Sequence, residues 1–208
     1  MSEARIVLAS ASPRRKALLD QLGLQVEVMA VGIEEAVRGE EKPSDYVARL
    51  ANDKARAARA RLTDDCVVIA ADTVVVIDDV ILGKPADRDA FIEMLGLLSG
   101  RTHAVLTGVS VSVGRRVRTA VSRTSVRFRN IALHEMEAYW ESGEPKDKAG
   151  GYGIQGVGGI FVERLEGSYS GVVGLPLAET EQMLTELGVD LWKCREGGAG
   201  CEDGADWR

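Results

Sequence analysis

The sequence predicts an α/β protein, because segments typical of buried strands alternate along it with segments typical of helices. Residues 6–9 are apolar and lead directly into a helix that Pro13 can begin. Residues 44–62 carry apolar side chains at helical spacing. The run 66–76 is rich in β-branched residues, as is typical of a strand that is buried on both faces of a sheet.

The first predicted helix covers residues 13–22, with Ser12 as its N-cap. Arg14 and Arg15 therefore lie at the positive end of the helix dipole, where bases are disfavoured and anions are favoured. Free N–H groups at the helix start, the hydroxyls of Ser10 and Ser12 and the two guanidinium groups together make a plausible phosphate site. The alternative is an arginine pair that is simply solvated.

The second predicted helix, residues 44–62 with Ser44 as its N-cap, has Lys54 in the middle of its apolar face. A lysine in that position usually extends its ammonium past the edge of the helix to water. The alternative is that the face borders a wet cleft. In that case Lys54 points across the cleft at an anion.

Asp72 and Thr73 interrupt the β-branched run 66–76. A buried carboxylate needs a partner, since an unpaired buried charge costs on the order of several kcal/mol. Asp72 must therefore meet a cation, act as an acid or line a cavity. The alternative is that the two residues form a turn between one strand and the next.

The remaining segments continue the same alternation. A tight turn at Asp78 and Asp79 leads into a short strand at 80–82, and residues 83–85 then hold Lys84 in a loop between a flexible glycine and a rigid proline. The other predicted elements are a strand at 25–30, a helix at 87–98, a hairpin of 102–113 and 117–128, a helix at 134–142, a strand at 159–165 and a last helix at 175–187.

A glycine-rich loop at residues 151–156 fits the dinucleotide-binding pattern Gly-x-Gly-x-x-Gly. That pattern requires a strand before it and a helix after it, whereas a polar segment precedes this loop and a predicted strand follows it. What remains is a loop whose backbone can approach a ligand closely and which carries one polar side chain, Gln155. The Gln155 amide can both donate and accept hydrogen bonds, which suits the edge of a nucleobase.

Composition excludes several classes of protein. Hydrophobic residues make up 45% and charged residues 28% of the 208 residues, as in ordinary soluble globular proteins. The net charge of −6 argues against broad nucleic-acid binding, so no nucleic-acid partner is expected. No apolar run approaches the length needed to span a membrane, which predicts a cytoplasmic protein without a membrane partner.

Histidine and cysteine offer no obvious catalytic or metal site. Cys66, Cys194 and Cys201 are odd in number, and their spacing gives neither a disulfide framework nor a zinc motif. His103 and His134 are the only histidines, and neither lies in a loop that suggests a Ser-His-Asp or Cys-His mechanism. The chemistry is therefore expected to rest on carboxylates, lysines, arginines and a bound divalent ion.

The side chains that stand out along the chain form a set of cations and acids. They are Arg14, Arg15, Lys54 and Lys84, together with Asp72 and either Glu34 or Glu35. Several cations with two acids are what a nucleoside triphosphate and its magnesium need. Oxygen ligands favour Mg²⁺ or Mn²⁺ over zinc as the cofactor.

Seven segments, in this order along residues 6–187, resemble the motif set of the Maf family of nucleoside triphosphate pyrophosphatases. They are Ser10-Ala-Ser-Pro-Arg-Arg15, Gly32-Ile-Glu-Glu35, Lys54 in Asn-Asp-Lys-Ala, Ala71-Asp-Thr73, Gly83-Lys-Pro85, Asp147-Lys-Ala-Gly150 and Gly153-Ile-Gln-Gly156. The resemblance implies a fold like that of inosine triphosphate pyrophosphatase, with a central mixed sheet and two lobes separated by a cleft. It also implies a homodimer. Residues 1–193 are then one two-lobed domain, and the glycine-rich acidic tail 194–208 is expected to be disordered.

The resemblance further implies hydrolysis between the α and β phosphates of a nucleotide. Family members that act on dTTP and UTP are similar to this chain at Arg14, Thr73 and Gln155, whereas a sister group that acts on 7-methyl-GTP has Trp, Gln and Glu there. The resemblance thus predicts a dTTP and UTP pyrophosphatase. These residues would set base choice, Asp72 would be the general base and would bind the metal with Glu35, and the triphosphate would be held by Ser10, Arg15, Lys54 and Lys84.

Two other functions stay open from the sequence. A non-catalytic nucleotide-binding regulator of septum formation would need the same pocket without turnover. A nicotinamide-dependent dehydrogenase rests only on the glycine pattern, which lacks its required structural context.

Overall fold

The computed structural model describes residues 5–62 and 66–192. Within them, seven strands form one sheet in the order β2-β1-β3-β5-β6-β7, with β4 paired to β3. β1 pairs in parallel with β2 and β3, and the other pairs are antiparallel. The predicted α/β class with a mixed central sheet is therefore confirmed. The strands are β1 Ile6–Leu8, β2 Val26–Val28, β3 Val67–Ile77, β4 Val80–Leu82, β5 Thr102–Val113, β6 Arg116–Phe128 and β7 Val162–Glu166.

Six α-helices and three short 3-10 turns complete this part of the chain. The helices are α1 Pro13–Gln21, α2 Pro43–Arg59, α3 Arg88–Leu98, α4 Leu133–Glu141, α5 Tyr169–Val173 and α6 Leu177–Glu186. The 3-10 turns are Glu144–Asp147, Ala149–Gly151 and Val157–Phe161. No helix among the described residues is both long enough and apolar enough to cross a bilayer.

One edge of β3 carries two different partners with a gap between them. Residues 67–69 pair with β1, and residues 75–77 pair with β4. Residues 70–74 have no partner strand on that edge in the described part of the chain. The loop after β1 and the loop after β4 therefore approach this gap from opposite sides.

The two faces of β3 pack against different layers, because successive side chains of a strand point to opposite faces. On one face, Val67, Ile69 and Ala71 belong to an apolar cluster with α1 and α6, while Val75 and Ile77 belong to a second cluster with α3 and α4. On the other face α2 covers the sheet. The core is thus interrupted on one face at Thr73 and on the other at Asp72.

Several sequence predictions about element boundaries are wrong. Ser44 is not the N-cap of α2, which starts at Pro43 with Lys42 as the cap residue. Proline fits the first helical position and forces the residue before it into an extended conformation, so the helix begins one residue earlier than predicted. Ser12 does occupy the N-cap position of α1, but its side chain makes no capping hydrogen bond.

Near the C-terminus, two predicted elements are divided differently. The predicted strand 159–165 starts only at Val162, because a 3-10 turn precedes it. The predicted helix 175–187 begins only at Leu177, because a proline such as Pro176 is not tolerated in the interior of a helix. A separate short helix, α5, precedes it. The tail 194–208, with Cys194 and Cys201, lies outside the described residues, whereas Cys66 is buried.

Candidate active site

A cleft of about 710 Å³ opens at the gap in the β3 edge. Most of the predicted site residues line it, although they come from distant parts of the chain: Arg14, Arg15, Glu35, Lys54, Asp72, Thr73, Lys84 and Gln155. Ser10 and Glu34 are not among its lining residues. Of the two acids left open by the sequence, Glu35 is therefore the one in the cleft.

Lys54 does not extend to water but joins two acids. Its Nζ lies 2.6 Å from Oδ1 of Asp72 and 2.7 Å from Oε1 of Glu35. The Lys54 and Asp72 side chains are each 12% exposed, while Glu35 is half-exposed at the cleft wall. The suggestion of a turn at Asp72 is wrong, because the strand runs unbroken through this position and the lysine partner balances the buried charge.

The position of Lys54 depends on how closely α2 approaches the sheet. In the β3–β5 ladder, Asp72 lies opposite Gly108, so both face α2. A Cβ atom at Gly108 would lie 2.3 Å from the carbonyl oxygen of Val47. Only glycine allows the helix backbone to come this close, and the close approach brings Lys54 within hydrogen-bonding distance of the strand.

Arg15 is held in the cleft wall by three hydrogen bonds. Its Nη1 donates to Ser10 Oγ at 3.0 Å, its Nη2 to Thr73 Oγ1 at 3.2 Å and its Nε to the carbonyl oxygen of Gly174 at 2.8 Å. Burial lowers the pKa of Arg15, while the charge of nearby Asp72 acts in the opposite direction. Ser10 thus orients this arginine, and two of its five N–H donors remain for a ligand.

Thr73 continues the same network on the face of the sheet opposite Asp72. Its hydroxyl lies 3.0 Å from that of Thr107, which in turn donates to the carbonyl oxygen of Gly171 at 2.7 Å. The hydroxyl of Thr73 therefore has protein partners on two sides. This polar layer fills the space between the two apolar clusters on that face.

The outer cleft carries cations that are more exposed. Nη1 of Arg14 lies 3.4 Å from Oδ2 of Asp147, and Asp147 also accepts from Lys148 at 2.7 Å. The hydrogen bond from Lys148 lowers the pKa of Asp147, although partial burial opposes the shift. Lys84 is exposed in the loop after β4, and the carbonyl of neighbouring Gly83 accepts from the Gly150 amide at 2.9 Å.

Several residues of the site were missed by sequence reasoning. Tyr46 lines the cleft and its hydroxyl donates to the carbonyl oxygen of Glu35 at 2.7 Å, which its helical spacing from Leu50 could have suggested. Glu144 also lines the cleft and contacts the loop that carries Gln155. No local pattern identifies Glu144, because it follows a glycine in a polar segment typical of a surface turn.

Only two carboxylates converge at the buried end of the cleft. Across residues 5–62 and 66–192 there is no group of three or more His, Cys, Asp or Glu side chains that could hold a metal ion. Glu35 and Asp72 contact the same ammonium nitrogen, which makes them the pair of carboxylates that could hold a cation in the cleft. Such a site supplies oxygen ligands alone.

Sequence comparison assigns the chain to a known family. A family model described as Maf-like protein matches residues 5–187. The chain belongs to the Maf family. The resemblance seen in the seven motifs is thereby confirmed, and the Maf motifs are the segments that meet at the cleft.

Curated relatives in the Maf family carry a functional name. A protein of Methylococcus capsulatus named dTTP/UTP pyrophosphatase is 49% identical over 197 residues, covering 95% of this chain and 98% of its own. A Vibrio cholerae protein of the same name is 51% identical over 184 residues, covering 88% of this chain and 98% of its own.

Similar solved structures are more distant than these Maf relatives. The Staphylococcus aureus Ham1 protein matches with 18% identity and a TM-score of 0.42 over 60% of this chain and 71% of that one. A nucleoside-triphosphatase, dITP/XTP pyrophosphatase, from Mycobacterium abscessus matches with 17% identity and a TM-score of 0.37 over 61% of this chain and 75% of that one.

Proposed function

We propose that this protein hydrolyses dTTP and UTP to the nucleoside monophosphate and pyrophosphate. The observation that carries the proposal is the cleft at the β3 gap, in a chain about half identical to proteins named dTTP/UTP pyrophosphatase. The cations and acids that line this cleft include Arg14, Arg15, Lys54 and Lys84 together with Glu35 and Asp72. Such a set of charges matches a triphosphate and its metal.

Three cations, Arg15, Lys54 and Lys84, neutralise the triphosphate in this proposal. Arg15 and Lys54 lie at the inner end and are already oriented by protein partners, so their donors need little reorganisation when substrate binds. Lys84 is exposed in the loop after β4. We expect its side chain to move onto the phosphates when substrate binds.

Glu35 and Asp72 would hold a divalent cation, with Mg²⁺ or Mn²⁺ as the proposed cofactor. Two carboxylates suit Mg²⁺, which usually takes one or two protein carboxylates and completes its octahedron with water and phosphate oxygens. When bound, the ion would neutralise charge that develops on the phosphates. Lys54 contacts both acids, and we expect its ammonium to keep the contact with Asp72 when the ion is bound.

Asp72 is the proposed general base. It accepts a proton from water as the water oxygen bonds to the attacked phosphorus, the α–β bridging bond breaks and pyrophosphate leaves. Lys54 orients the carboxylate through its 2.6 Å contact with Oδ1. Stabilisation of the developing phosphate charge by the surrounding cations supplies the larger part of the rate enhancement in such reactions.

Gln155 is the proposed reader of the base. Uracil and thymine present a carbonyl oxygen beside an N–H, and a glutamine amide can match both with its NH₂ and C=O. Cytosine reverses that pattern. Gln155 is exposed at the cleft, and Arg14 lies at the same rim. Thr73 lies deeper, so we propose that it contributes to base choice through Arg15, to which it is hydrogen-bonded.

We also propose that the protein acts as a homodimer in the cytoplasm. The family resemblance supports the dimer, and a nucleotide substrate supports the location. Light scattering coupled to size-exclusion chromatography would measure the oligomeric state directly. A mass equal to one chain of 22.4 kDa would contradict the dimer.

A product assay tests the proposed activity. The protein is incubated with Mg²⁺ and UTP, dTTP, CTP, GTP or ATP, and monophosphate and pyrophosphate are quantified. We expect equal amounts of the two products and a kcat/KM for UTP and dTTP at least about tenfold above that for CTP, since a mismatched base edge leaves polar groups unpaired. Nucleotide binding without turnover would instead support a regulator, and release of orthophosphate would contradict cleavage at the α–β bridge.

A further inference from the structure

Glu144 directs a carboxylate at the backbone of the loop that carries Gln155. It stands at the start of the 3-10 turn Glu144–Asp147. Its Oε2 accepts from the amide of Val157 at 2.9 Å, and its Oε1 accepts from the amide of Gly158 at 3.3 Å and from the hydroxyl of Tyr139 at 2.7 Å. One side chain therefore binds the C-terminal end of this loop through both of its oxygens.

Tyr139 binds the other end of the same loop. Its hydroxyl accepts from the amide of Gly153 at 3.1 Å while it donates to Glu144. Gln155 lies between these two attachment points and makes no hydrogen bond to another residue of the described chain. The position of the Gln155 side chain is consequently set by the backbone of the loop, and the backbone is set by Glu144 and Tyr139.

The glycines of this loop fit closely around the two anchoring side chains. A Cβ atom at Gly156 would lie 2.3 Å from Oε2 of Glu144, and one at Gly158 would lie 2.5 Å from the hydroxyl of Tyr139. A larger residue at either position would require the anchoring side chain or the loop to move. The glycine pattern that resembled a dinucleotide motif thus serves to bring backbone against protein side chains.

The anchor is charged at neutral pH. Burial alone would raise the pKa of Glu144, but hydrogen bonds from Tyr139 and from the Val157 and Gly158 amides outweigh it and lower the pKa. Hydrogen bonds to an ionised acceptor are about twice as strong as those between neutral groups. A glutamine here would keep the shape but place an NH₂ group against an N–H or O–H donor.

We propose that Glu144 is a positioning residue for base selection, which fixes the Gln155 loop in the orientation that reads a uracil or thymine edge. The inference rests on the proposed function only in that Gln155 contacts the base. In this proposal Glu144 acts through the loop backbone rather than by contacting the nucleotide. Its role is to hold the loop so that the Gln155 amide presents its donor and its acceptor to the matching groups of the base.

The test compares Glu144→Gln with wild type and with Glu141→Gln, which removes an exposed carboxylate one turn earlier on α4. We expect the ratio of kcat/KM for UTP over CTP to fall about tenfold in Glu144→Gln, mainly through a higher KM for UTP. Inhibition by inorganic tripolyphosphate, which has no base, should stay unchanged. Glu141→Gln should behave as wild type, and Gln155→Glu should reproduce the loss of discrimination.

A second measurement distinguishes failure of the Glu144 inference from failure of the base-reading role proposed for Gln155. Hydrogen–deuterium exchange of the amides at 153–158 should accelerate in Glu144→Gln, and also in Tyr139→Phe, which loses the hydroxyl that accepts from the Gly153 amide and donates to Glu144. Unchanged exchange, or an unchanged UTP to CTP ratio beside a discriminating wild type, would overturn the inference. Faster exchange beside a wild type that does not discriminate would support the anchor and contradict the base-reading role of Gln155. If Glu144→Gln does not fold, Tyr139→Phe decides through the same two measurements.

Discussion

At the residue scale, the neighbouring residues Asp72 and Thr73 of β3 contact different cations of the site. Asp72 faces α2 and contacts Lys54, whereas Thr73 faces the opposite layer and contacts Arg15. Both can line the same cleft because the edge of β3 is open at this point. The carboxylate proposed as the base and a hydroxyl that supports Arg15 thus come from consecutive positions.

Replacement of Asp72 by Asn tests its role as the base. The amide keeps the shape and can still accept from Lys54, but it has neither the charge nor the basicity, so we expect kcat to fall about a hundredfold to ten-thousandfold. The melting temperature should change little. Asp20→Asn is the matched control, because the Asp20 carboxylate forms an exposed ion pair with Lys16, away from the cleft. A rate above about a tenth of wild type would show that Asp72 is not the base.

The sequence identified residues that need a polar partner more readily than it identified the partners themselves. A lysine in an apolar face and a carboxylate in a β-branched run both signalled polar groups that need compensation. That Lys54 and Asp72 compensate each other depends on the distance between α2 and β3. Glu144 gave no signal at all, because two of its partners are the backbone amides of Val157 and Gly158, which carry no side-chain pattern, and the third is the hydroxyl of Tyr139.

At the scale of elements, the packing of α2 on the sheet determines the geometry at Lys54. Helical spacing predicted the apolar face of α2 correctly, with Val47, Leu50, Ala51 and Ala58 buried. The depth at which this face packs could not be predicted, since it depends on Gly108 on a strand paired to β3. The absence of a side chain at Gly108 on β5 therefore determines where the ammonium of Lys54 on α2 lies.

Gly108→Ala should therefore damage both stability and activity. The new Cβ would overlap the Val47 carbonyl, so α2 must move outward, and overpacking of this kind costs about 1–3 kcal/mol. We expect a lower melting temperature and a lower kcat, since Lys54 would move with the helix. Gly96→Ala on α3 is the control, because a Cβ there meets nothing within 4 Å. Equal activity and stability in both variants would contradict the dependence on close packing.

At the scale of the whole molecule, the gap in the β3 edge assembles the site. The segment 10–15 follows β1 and the segment 83–85 follows β4, and these two strands flank the gap. Sequence reasoning found both segments but could not show that they meet, since strand pairing is not encoded in either one alone. The family resemblance supplied the grouping, and the sheet order gives its physical cause.

Acid should destabilise the whole fold through His103, which lies in the apolar cluster beside α3 and α4. Its Nε2 contacts the hydroxyl of Tyr152 at 2.8 Å, and its ring packs against Phe128. Burial lowers the pKa of His103 from 6.5 to about 4. Between these values the unfolded chain binds a proton that the folded chain does not, so the free energy of unfolding falls as pH decreases from 6.5 to 4.

The size of this effect can be measured by urea unfolding at several pH values. The shift corresponds to a loss of up to about 3 kcal/mol of stability across the window. His103→Gln should remove that part of the pH dependence, whatever its effect at pH 7. The other histidine, His134, is exposed on α4, and His134→Gln should retain the wild-type slope. If His103→Gln lost stability with falling pH as steeply as wild type, acidic groups rather than this buried imidazole would account for the acid sensitivity of the fold.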